Sequence, residues 1–168
     1  LTRLPNRVYL RDRLERAISA LKRDPVQNFG VLYVDVDRFK VINDSLGHLA
    51  GDMVLDQVAR RLSAAVREPD VVARLAGDEF AILIEHVRMP DTACKVAQRV
   101  LTLLEAPLQV DGRQLQVSAS IGIAIVDGRY LTPDQILHDA DLALYRAKDA
   151  GRNRFVLFDD VMHRNAMN

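Results

Sequence analysis

Regularly spaced apolar residues predict five helices along the chain. Apolar positions repeat every three to four residues in segments 7–22, 38–46, 53–66, 92–104 and 133–150, as on one face of an amphipathic helix. Pro25 follows the first segment, Gly47 the second and Gly151 the last, and these residue types commonly end helices. Asp37 directly precedes the second segment, so we expect its carboxylate to cap that helix.

Other segments are short, apolar and rich in β-branched residues, which predicts strands. They are Phe29–Val36, Val71–Ala76 and residues 79–85, 114–126 and 155–158. Only Gly77 and Asp78 separate the second from the third, and a Gly-Asp pair between two strands predicts a tight antiparallel hairpin. The element order is α, β, α, α, β-hairpin, α, β, α, β, which predicts an α/β fold with a mixed sheet and covering helices.

The length of the chain predicts one domain, and its net charge bears on the kind of partner that it binds. The chain has 168 residues, 49% of them hydrophobic, which is enough to bury one core of good size. Its 23 Lys and Arg residues balance 23 Asp and Glu residues, so no basic surplus is present to neutralise a nucleic-acid backbone. We therefore expect any nucleotide partner to be a small molecule, and we expect no binding to nucleic acid.

Cysteine content and hydropathy bear on the compartment. Cys94 is the only cysteine, which excludes an internal disulfide and fits a reducing environment. No apolar run approaches the roughly 20 residues of a membrane helix, and residues 1–7 carry no signal-peptide pattern. We expect a cytoplasmic domain without membrane contact of its own, which could be the cytoplasmic part of a larger sensor protein.

Acidic residues gather at the end of the first predicted strand and at the hairpin turn. Asp35 and Asp37 are two positions apart, so their side chains share one strand face while Val36 faces the core. If the hairpin lies beside this strand, Asp78 and Glu79 join them with no nearby Lys or Arg to neutralise the cluster. Such a cluster suits Mg²⁺. Taken singly, Asp35 or Asp37 is better explained as a solvated acid.

The segment after Asp37 offers a place for phosphate. Arg38, Phe39 and Lys40 begin the second predicted helix, where free N–H groups and the helix dipole favour an anion. Lys40 can add positive charge. An ordinary surface turn explains this segment equally well when it is taken alone.

Seven short motifs extend from one end of the chain to the other. They are LPNR at 4–7, DVDRFKVIND at 35–44, GH at 47–48, GD at 51–52, RLAGDEF at 74–80, DLALYRAK at 141–148 and GRN at 151–153. Together, and in this order, they resemble the GGDEF family of diguanylate cyclases, which is far more specific than any single match. The resemblance implies a palm-type fold with a ferredoxin-like, nucleotidyl-cyclase-like core over residues 1–158, followed by a junction at 159–168.

The family's reaction joins two GTP molecules into cyclic di-GMP and releases pyrophosphate. The resemblance implies that Asp35, the carbonyl of Val36 and Asp78 hold Mg²⁺ or Mn²⁺. It also implies that Asn43 and Asp52 recognise guanine. A carboxylate can accept from the donors on guanine's Watson–Crick edge, and an amide can donate to its acceptor. Without the family pattern, Asn43 is simply a polar residue at a helix end and Asp52 an N-cap.

The remaining implied roles concern phosphates, proton transfer and assembly. Lys148 and Arg152 would bind the triphosphate together with Phe39 and Lys40, since a Lys adds a compact charge and an Arg a fork of donors. Asp78 and Glu79 are the catalytic candidates, as base or as metal ligands. Because one site holds one GTP, the active species is expected to be a symmetric homodimer.

Residues 67–70 match the family's Arg-x-x-Asp inhibitory site for the product. Arg67 could fork onto the O6 and N7 acceptors of guanine, and Asp70 could accept from its donor edge. The alternative is a polar turn between a helix and a strand. We therefore expect cyclic di-GMP to be an inhibitor as well as the product.

Two positions depart from the family pattern. Ala76 replaces the first glycine of the signature, and Arg3 stands where the entry segment usually has glycine. Since the predicted turn is Gly77-Asp78, Ala76 can remain in strand geometry, and we expect activity to survive at a reduced level.

Two other functions compete with the cyclase. One is a catalytically weak or inactive module that binds GTP or senses cyclic di-GMP and regulates an adjacent phosphodiesterase domain; residues 158–163 resemble the junction that leads to one. Retained Asp35, Asp78 and Glu79 argue against it. The other, a palm-fold purine nucleotide cyclase or polymerase, is disfavoured by the neutral charge and the specific signature.

Overall fold

A five-stranded sheet lies between two layers of helices in the computed structural model, which describes residues 2–87 and 90–159. The helices are α1 (Arg7–Arg23), α2 (Phe39–Leu46), α3 (His48–Ala65), α4 (Pro90–Leu104) and α5 (Pro133–Asp149). The strands are β1 (Phe29–Val36), β2 (Val71–Ala76), β3 (Glu79–Ile84), β4 (Leu108–Val110), β5 (Arg113–Leu115), β6 (Ala119–Val126) and β7 (Arg154–Leu157). Among the described helices, none is long and apolar enough to cross a membrane.

The sheet is mixed, with β1 at its centre. Its strand order is β2-β3-β1-β6-β7, in which β6 and β7 are parallel and every other neighbouring pair is antiparallel. The predicted mixed α/β architecture is confirmed, and so is the antiparallel hairpin of β2 and β3. The predicted junction at 159–168 lies, apart from its first residue, outside the described residues.

Alternate residues of β1 face two different hydrophobic cores. Leu32 and Val34 pack with α3 and α4, whereas Val31 and Tyr33 pack with α1 and α5. Every residue of β1 is buried, as expected for a strand covered on both faces. By this alternation Asp35 belongs to the α5 side of the sheet, which brings it near the end of that helix.

The predicted starts of the second and third helices are wrong. The second helix begins at Phe39 and is capped not by Asp37 but by Arg38, whose backbone is left-handed (φ 54°) and whose side chain makes no capping bond. The next helix starts at His48, five residues before the predicted start, because Gly47 (φ 91°) ends one helix and begins the other. Asp52 therefore lies inside α3 and is not its N-cap.

The strand predicted at 114–126 is two strands. Residues 113–115 pair instead with Leu108–Val110 around a turn at Asp111 and Gly112, and the long strand begins at Ala119. A three-residue strand is too short to show an alternation of apolar and polar positions, so periodicity did not indicate β4 or β5 as separate strands.

Candidate active site

The carboxyl end of β1 meets the β2–β3 turn. β1 and β3 are antiparallel with Asp35 opposite Glu79, and the N–H of Val36 donates to the carbonyl of Asp78 at 3.2 Å. Gly77 supplies the positive φ (45°) that the turn requires. Pairing of these two strands therefore brings together two acidic motifs that are about forty residues apart in the sequence.

Asp35 and Asp78 form a carboxyl pair at this meeting point. Burial, together with the neighbouring carboxyl of Asp78, raises the pKa of Asp35 to about 6, while Lys148 acts in the opposite direction. Asp35 is 7% exposed, and its Oδ1 atom has no hydrogen-bond partner. A buried carboxylate oxygen without a partner is uncommon and indicates a position that a ligand can satisfy.

The donor set of this pair fits a divalent cation. Mg²⁺ is commonly bound by one or two carboxylates, with phosphates and water completing its shell. Asp35 and Asp78 provide the two carboxylates, and Val36 lies at the same strand end. Across residues 2–87 and 90–159, no group of three or more His, Cys, Asp or Glu side chains is arranged to hold a metal. A cation at this pair would therefore also need ligands from a bound molecule.

A lysine lies directly against the acidic pair, which corrects one expectation. The sequence suggested a cluster without a nearby cation, but Nζ of Lys148 contacts Oδ2 of Asp35. Lys148 is in the last turn of α5, which packs on the same sheet face as Asp35. Because this packing joins residues more than 100 positions apart, it could not be recognised from local spacing. Lys148 therefore places a positive charge beside the acidic pair.

Asp37 does not join the acidic pair through its hydrogen bonds. Its carboxylate accepts from the hydroxyls of Ser118 and Ser120, each at 2.6 Å, and from the backbone N–H of Asn153 at 3.0 Å. Sequence reasoning included Asn153 in a motif but did not connect Asp37 with any of these three partners.

Glu79 is held by a tyrosine that the motif analysis missed. The hydroxyl of Tyr33 donates to Oε2 of Glu79 at 2.6 Å. Burial and this hydrogen bond raise the pKa of the Tyr33 phenol above its ordinary value, so it remains a donor. Tyr33 could have been found from its position, because it lies two residues before Asp35 on the same strand face.

Close packing of α2 on α3 surrounds Asn43, one of the two residues predicted to recognise guanine. A Cβ atom at Gly51 would lie 1.8 Å from Oδ1 of Asn43 and 3.2 Å from the ring of Phe39, so a larger residue there would have to displace the Asn43 side chain. Oδ1 of Asn43 is buried without a hydrogen-bond partner, and Asp52 is half-buried beside Gly51. The structure thus holds Asn43 and the neighbourhood of Asp52 together between two helices.

The predicted phosphate-binding residues outside α5 lie at the start of α2 and in the turn that follows α5. The N-terminus of α2 has no side-chain cap, with Phe39 buried and Lys40 exposed. Arg152 follows α5 in a left-handed conformation (φ 64°), and its N–H donates to the carbonyl of Ala147 at 3.0 Å. Helix N–H groups without partners and nearby cations can together bind phosphate.

Arg67 and Asp70 line a separate surface cavity of about 570 Å³. Tyr9 and Arg13 of α1 also line it. Oδ1 of Asp70 accepts the backbone N–H of Glu85 at 3.0 Å, whereas Arg67 is exposed. The cavity is large enough for a nucleotide base and offers a guanidinium at its rim.

Ala76 and Arg3, the two residues that depart from the family pattern, have different backbone conformations. Ala76 is the last residue of β2 and lies opposite Glu79, so it is in strand geometry as predicted. Arg3 is left-handed (φ 60°), a conformation that glycine adopts at lower cost.

The sequence and the fold both match known proteins. The model of the family described as "Diguanylate cyclase, GGDEF domain" matches residues 1–154. The chain is 45% identical over 166 residues to the bifunctional diguanylate cyclase/cyclic di-GMP phosphodiesterase MucR of Pseudomonas aeruginosa, covering 99% of this chain and 24% of MucR. It therefore spans about a quarter of the length of that relative.

Two solved GGDEF domains are close in structure. The crystal structure of the GGDEF domain of TpbB (YfiN) from Pseudomonas aeruginosa superposes with a TM-score of 0.91 at 42% identity, covering 95% of this chain and 99% of that one. The GGDEF domain of DgcB from Caulobacter crescentus in complex with c-di-GMP gives 0.86 at 26% identity, covering 92% and 91%.

Proposed function

This chain belongs to the GGDEF family of diguanylate cyclase domains, and on that premise we propose that it condenses two GTP molecules into cyclic di-GMP with release of pyrophosphate. The observation that carries the proposal is the carboxyl pair of Asp35 and Asp78, with a buried oxygen that has no partner and Lys148 alongside. A regulatory module that had lost catalysis would have no need to keep this unfavourable arrangement of acids.

GTP would lie from the α2–α3 interface towards the carboxyl end of β1. Asn43 and Asp52 would contact the guanine edge, where the partnerless Oδ1 of Asn43 is available. Lys40 at the uncapped start of α2 would meet the triphosphate from one side. Lys148 and Arg152 would meet it from the other, after α5. The charges of both sides would then fix the α-phosphate near the acidic pair.

Asp35, Asp78 and the carbonyl of Val36 would hold Mg²⁺ or Mn²⁺. The bound ion would neutralise phosphate charge and lower the pKa of the attacking 3′-hydroxyl. Asp78 or Glu79 would accept the hydroxyl proton as the 3′-oxygen bonds to the α-phosphorus of the second GTP and pyrophosphate leaves. Tyr33 would keep Glu79 oriented through its 2.6 Å hydrogen bond.

Reciprocal attack requires two copies of the domain. Each copy would bind one GTP, so two active sites must face each other across a symmetric homodimer for both phosphodiester bonds to form. We expect this assembly in the cytoplasm, where GTP is present.

A regulatory function remains the second candidate, because MucR combines cyclase and phosphodiesterase activities in one protein. In that case the domain would bind GTP or cyclic di-GMP and control an adjacent phosphodiesterase domain. Incubation of the purified chain with GTP and Mg²⁺, followed by chromatography for cyclic di-GMP and pyrophosphate, separates the two functions. Product formation that rises steeply with protein concentration supports the dimeric cyclase. Tight GTP binding without product at high protein concentration supports the regulator.

We also propose that cyclic di-GMP inhibits the enzyme at the cavity of Arg67 and Asp70. A solved relative, DgcB, forms a complex with c-di-GMP. In this chain Arg67 is exposed at the cavity rim, where it could fork onto guanine acceptors. Because the cavity is separate from the acidic pair, binding there would restrain the domains rather than compete with GTP.

Arg67→Ala should relieve product inhibition while preserving the initial rate. Arg67 is a better probe than Asp70, whose carboxylate also holds the Glu85 backbone and so supports the fold. The measurement is initial velocity against added cyclic di-GMP at several GTP concentrations, with Arg60→Ala, another exposed arginine, as the matched control. Identical inhibition curves for Arg67→Ala and wild type would assign residues 67–70 to an ordinary turn.

Ala76→Gly should raise the initial velocity by no more than about fivefold, the range that corresponds to a Gly–Ala difference in backbone freedom. Ala76 already has strand geometry, so the glycine of the family signature is not needed for the turn. Gly77→Ala is the matched control; its positive φ (45°) predicts a much larger loss. A gain of about a hundredfold in Ala76→Gly would instead show that alanine distorts the turn.

A further inference from the structure

Asp37 is a buried carboxylate whose two oxygens are both engaged by protein donors. It is 7% exposed. Oδ1 accepts from Ser120, and Oδ2 accepts from Ser118 and from the backbone N–H of Asn153. Asp35, two residues earlier, has an oxygen without a partner. The two acids of the motif at 35–37 therefore differ in use: one is available to a ligand, and the other connects three parts of the protein.

The turn that Asp37 contacts has an unfavourable backbone. Arg152 and Asn153 are both left-handed, with φ of 64° and 48°, directly after Gly151 (φ 123°). Left-handed geometry is costly for residues other than glycine, and two in succession persist only where surrounding contacts enforce them. Two such contacts are present: the N–H of Arg152 donates to Ala147, and that of Asn153 donates to Asp37.

We propose that Asp37 is a positioning residue that fixes the 151–153 turn and thereby aims Arg152 at the triphosphate, rather than a ligand for the metal. The inference rests on the proposed function, because it takes GTP as the ligand of Arg152. Asp37 lies two residues before the start of α2, whose first residues would meet the phosphates from the opposite side. Its carboxylate therefore couples the two phosphate-binding segments, one on each side of the strand end.

Asp37→Asn tests this role, because the amide keeps the size of the side chain but replaces one acceptor oxygen with a donor. The affinity for GTP should fall by about tenfold or more, the range expected for a lost hydrogen bond to a charged group. The affinity for guanosine, which has no phosphate, should be unchanged. Both are measured by titration, with thermal unfolding to verify the fold. Equal losses for GTP and guanosine would overturn the proposal.

A double-mutant cycle shows whether Asp37 acts through Arg152. If it does, Asp37→Asn should add little to the loss of GTP affinity already caused by Arg152→Ala. Full additivity would overturn the proposal, because Asp37 would then contribute by a separate route. Adding Asn153→Gly should partly restore GTP affinity to Asp37→Asn, since glycine adopts the left-handed geometry at no steric cost. A metal ligand would not be rescued in this way.

Two further measurements cover the cases in which the first variant or the proposed function fails. If Asp37→Asn does not fold, Ser118→Ala removes one donor to the same Oδ2 atom. Ser118→Ala should lower the affinity for GTP by less than Asp37→Asn does, and it should cause no further loss in a protein that already carries Arg152→Ala. An equal loss of affinity for guanosine would overturn the proposal.

If wild type binds no GTP, the proposed function fails. The positioning role is then read from hydrogen exchange of the Asn153 amide, which should be about tenfold faster in either variant. Unchanged exchange would overturn it.

Discussion

Asp78→Asn is expected to lower the rate of cyclic di-GMP synthesis by roughly a hundredfold or more while the protein stays folded. The Asp78 carboxyl helps to raise the pKa of Asp35, and its loss would remove one of the two carboxylates that can hold the cation. The side chain is half-buried in a turn and is not part of either hydrophobic core. The measurement is initial velocity at saturating GTP and Mg²⁺, with circular dichroism to verify the fold.

Asp111→Asn is the matched control for this substitution. Asp111 also lies in a hairpin turn, between β4 and β5, but it is exposed and has a left-handed backbone that asparagine tolerates well. We expect its activity to equal that of wild type. Near-normal turnover by a folded Asp78→Asn variant would show that the Asp78 carboxylate is not needed for the reaction.

Asp78→Asn should also change how the stability of the folded protein depends on pH. The pKa of Asp35 is raised from 3.8 to about 6, so the folded state binds its proton more tightly than the unfolded state does. This contribution to stability is present below the unfolded pKa and is lost as pH rises through about 6. Asp78→Asn removes one cause of the raised pKa. The quantity to measure is the melting temperature of Asp78→Asn minus that of wild type, in the absence of divalent cations. This difference should be more positive at about pH 8 than at about pH 5.

Asn43→Ala is expected to weaken GTP binding by roughly 1–3 kcal/mol and ATP binding far less. Oδ1 of Asn43 is buried without a partner, so its removal takes away a potential contact to guanine and no existing hydrogen bond of that atom. Gly51→Ala should act in the same direction, because its Cβ would lie 1.8 Å from that oxygen and must displace the side chain.

The measurement for both variants is the affinity for GTP and ATP by calorimetry. Gly128→Ala is the matched control, since a Cβ there would meet nothing within 4 Å. If the Asp52 carboxylate also contacts guanine, Asp52→Ala should likewise lower the affinity for GTP more than the affinity for ATP. Equal losses for the two nucleotides would assign Asn43 and Gly51 to helix packing instead of base recognition.

Local structure near the chemistry could be predicted because it depends on neighbours in the sequence. The first and second strands begin and end where predicted, since each is a short apolar run next to residues that favour turns. The hairpin at Gly77 and Asp78 follows from turn chemistry alone. Seven ordered motifs were enough to indicate the family, which the comparisons confirm.

The partners of the polar side chains were decided only by the tertiary structure. Spacing along a strand placed Asp35 and Asp37 on one face, but it could not show that Asp37 meets serines 81 and 83 residues away. Nor could it show that Lys148 lies against Asp35. Hydrophobic periodicity specifies which face of an element is buried, whereas a polar contact depends on which elements become neighbours. Chain folding therefore decided which acid keeps a carboxylate oxygen without a hydrogen-bond partner and which one has both oxygens hydrogen-bonded.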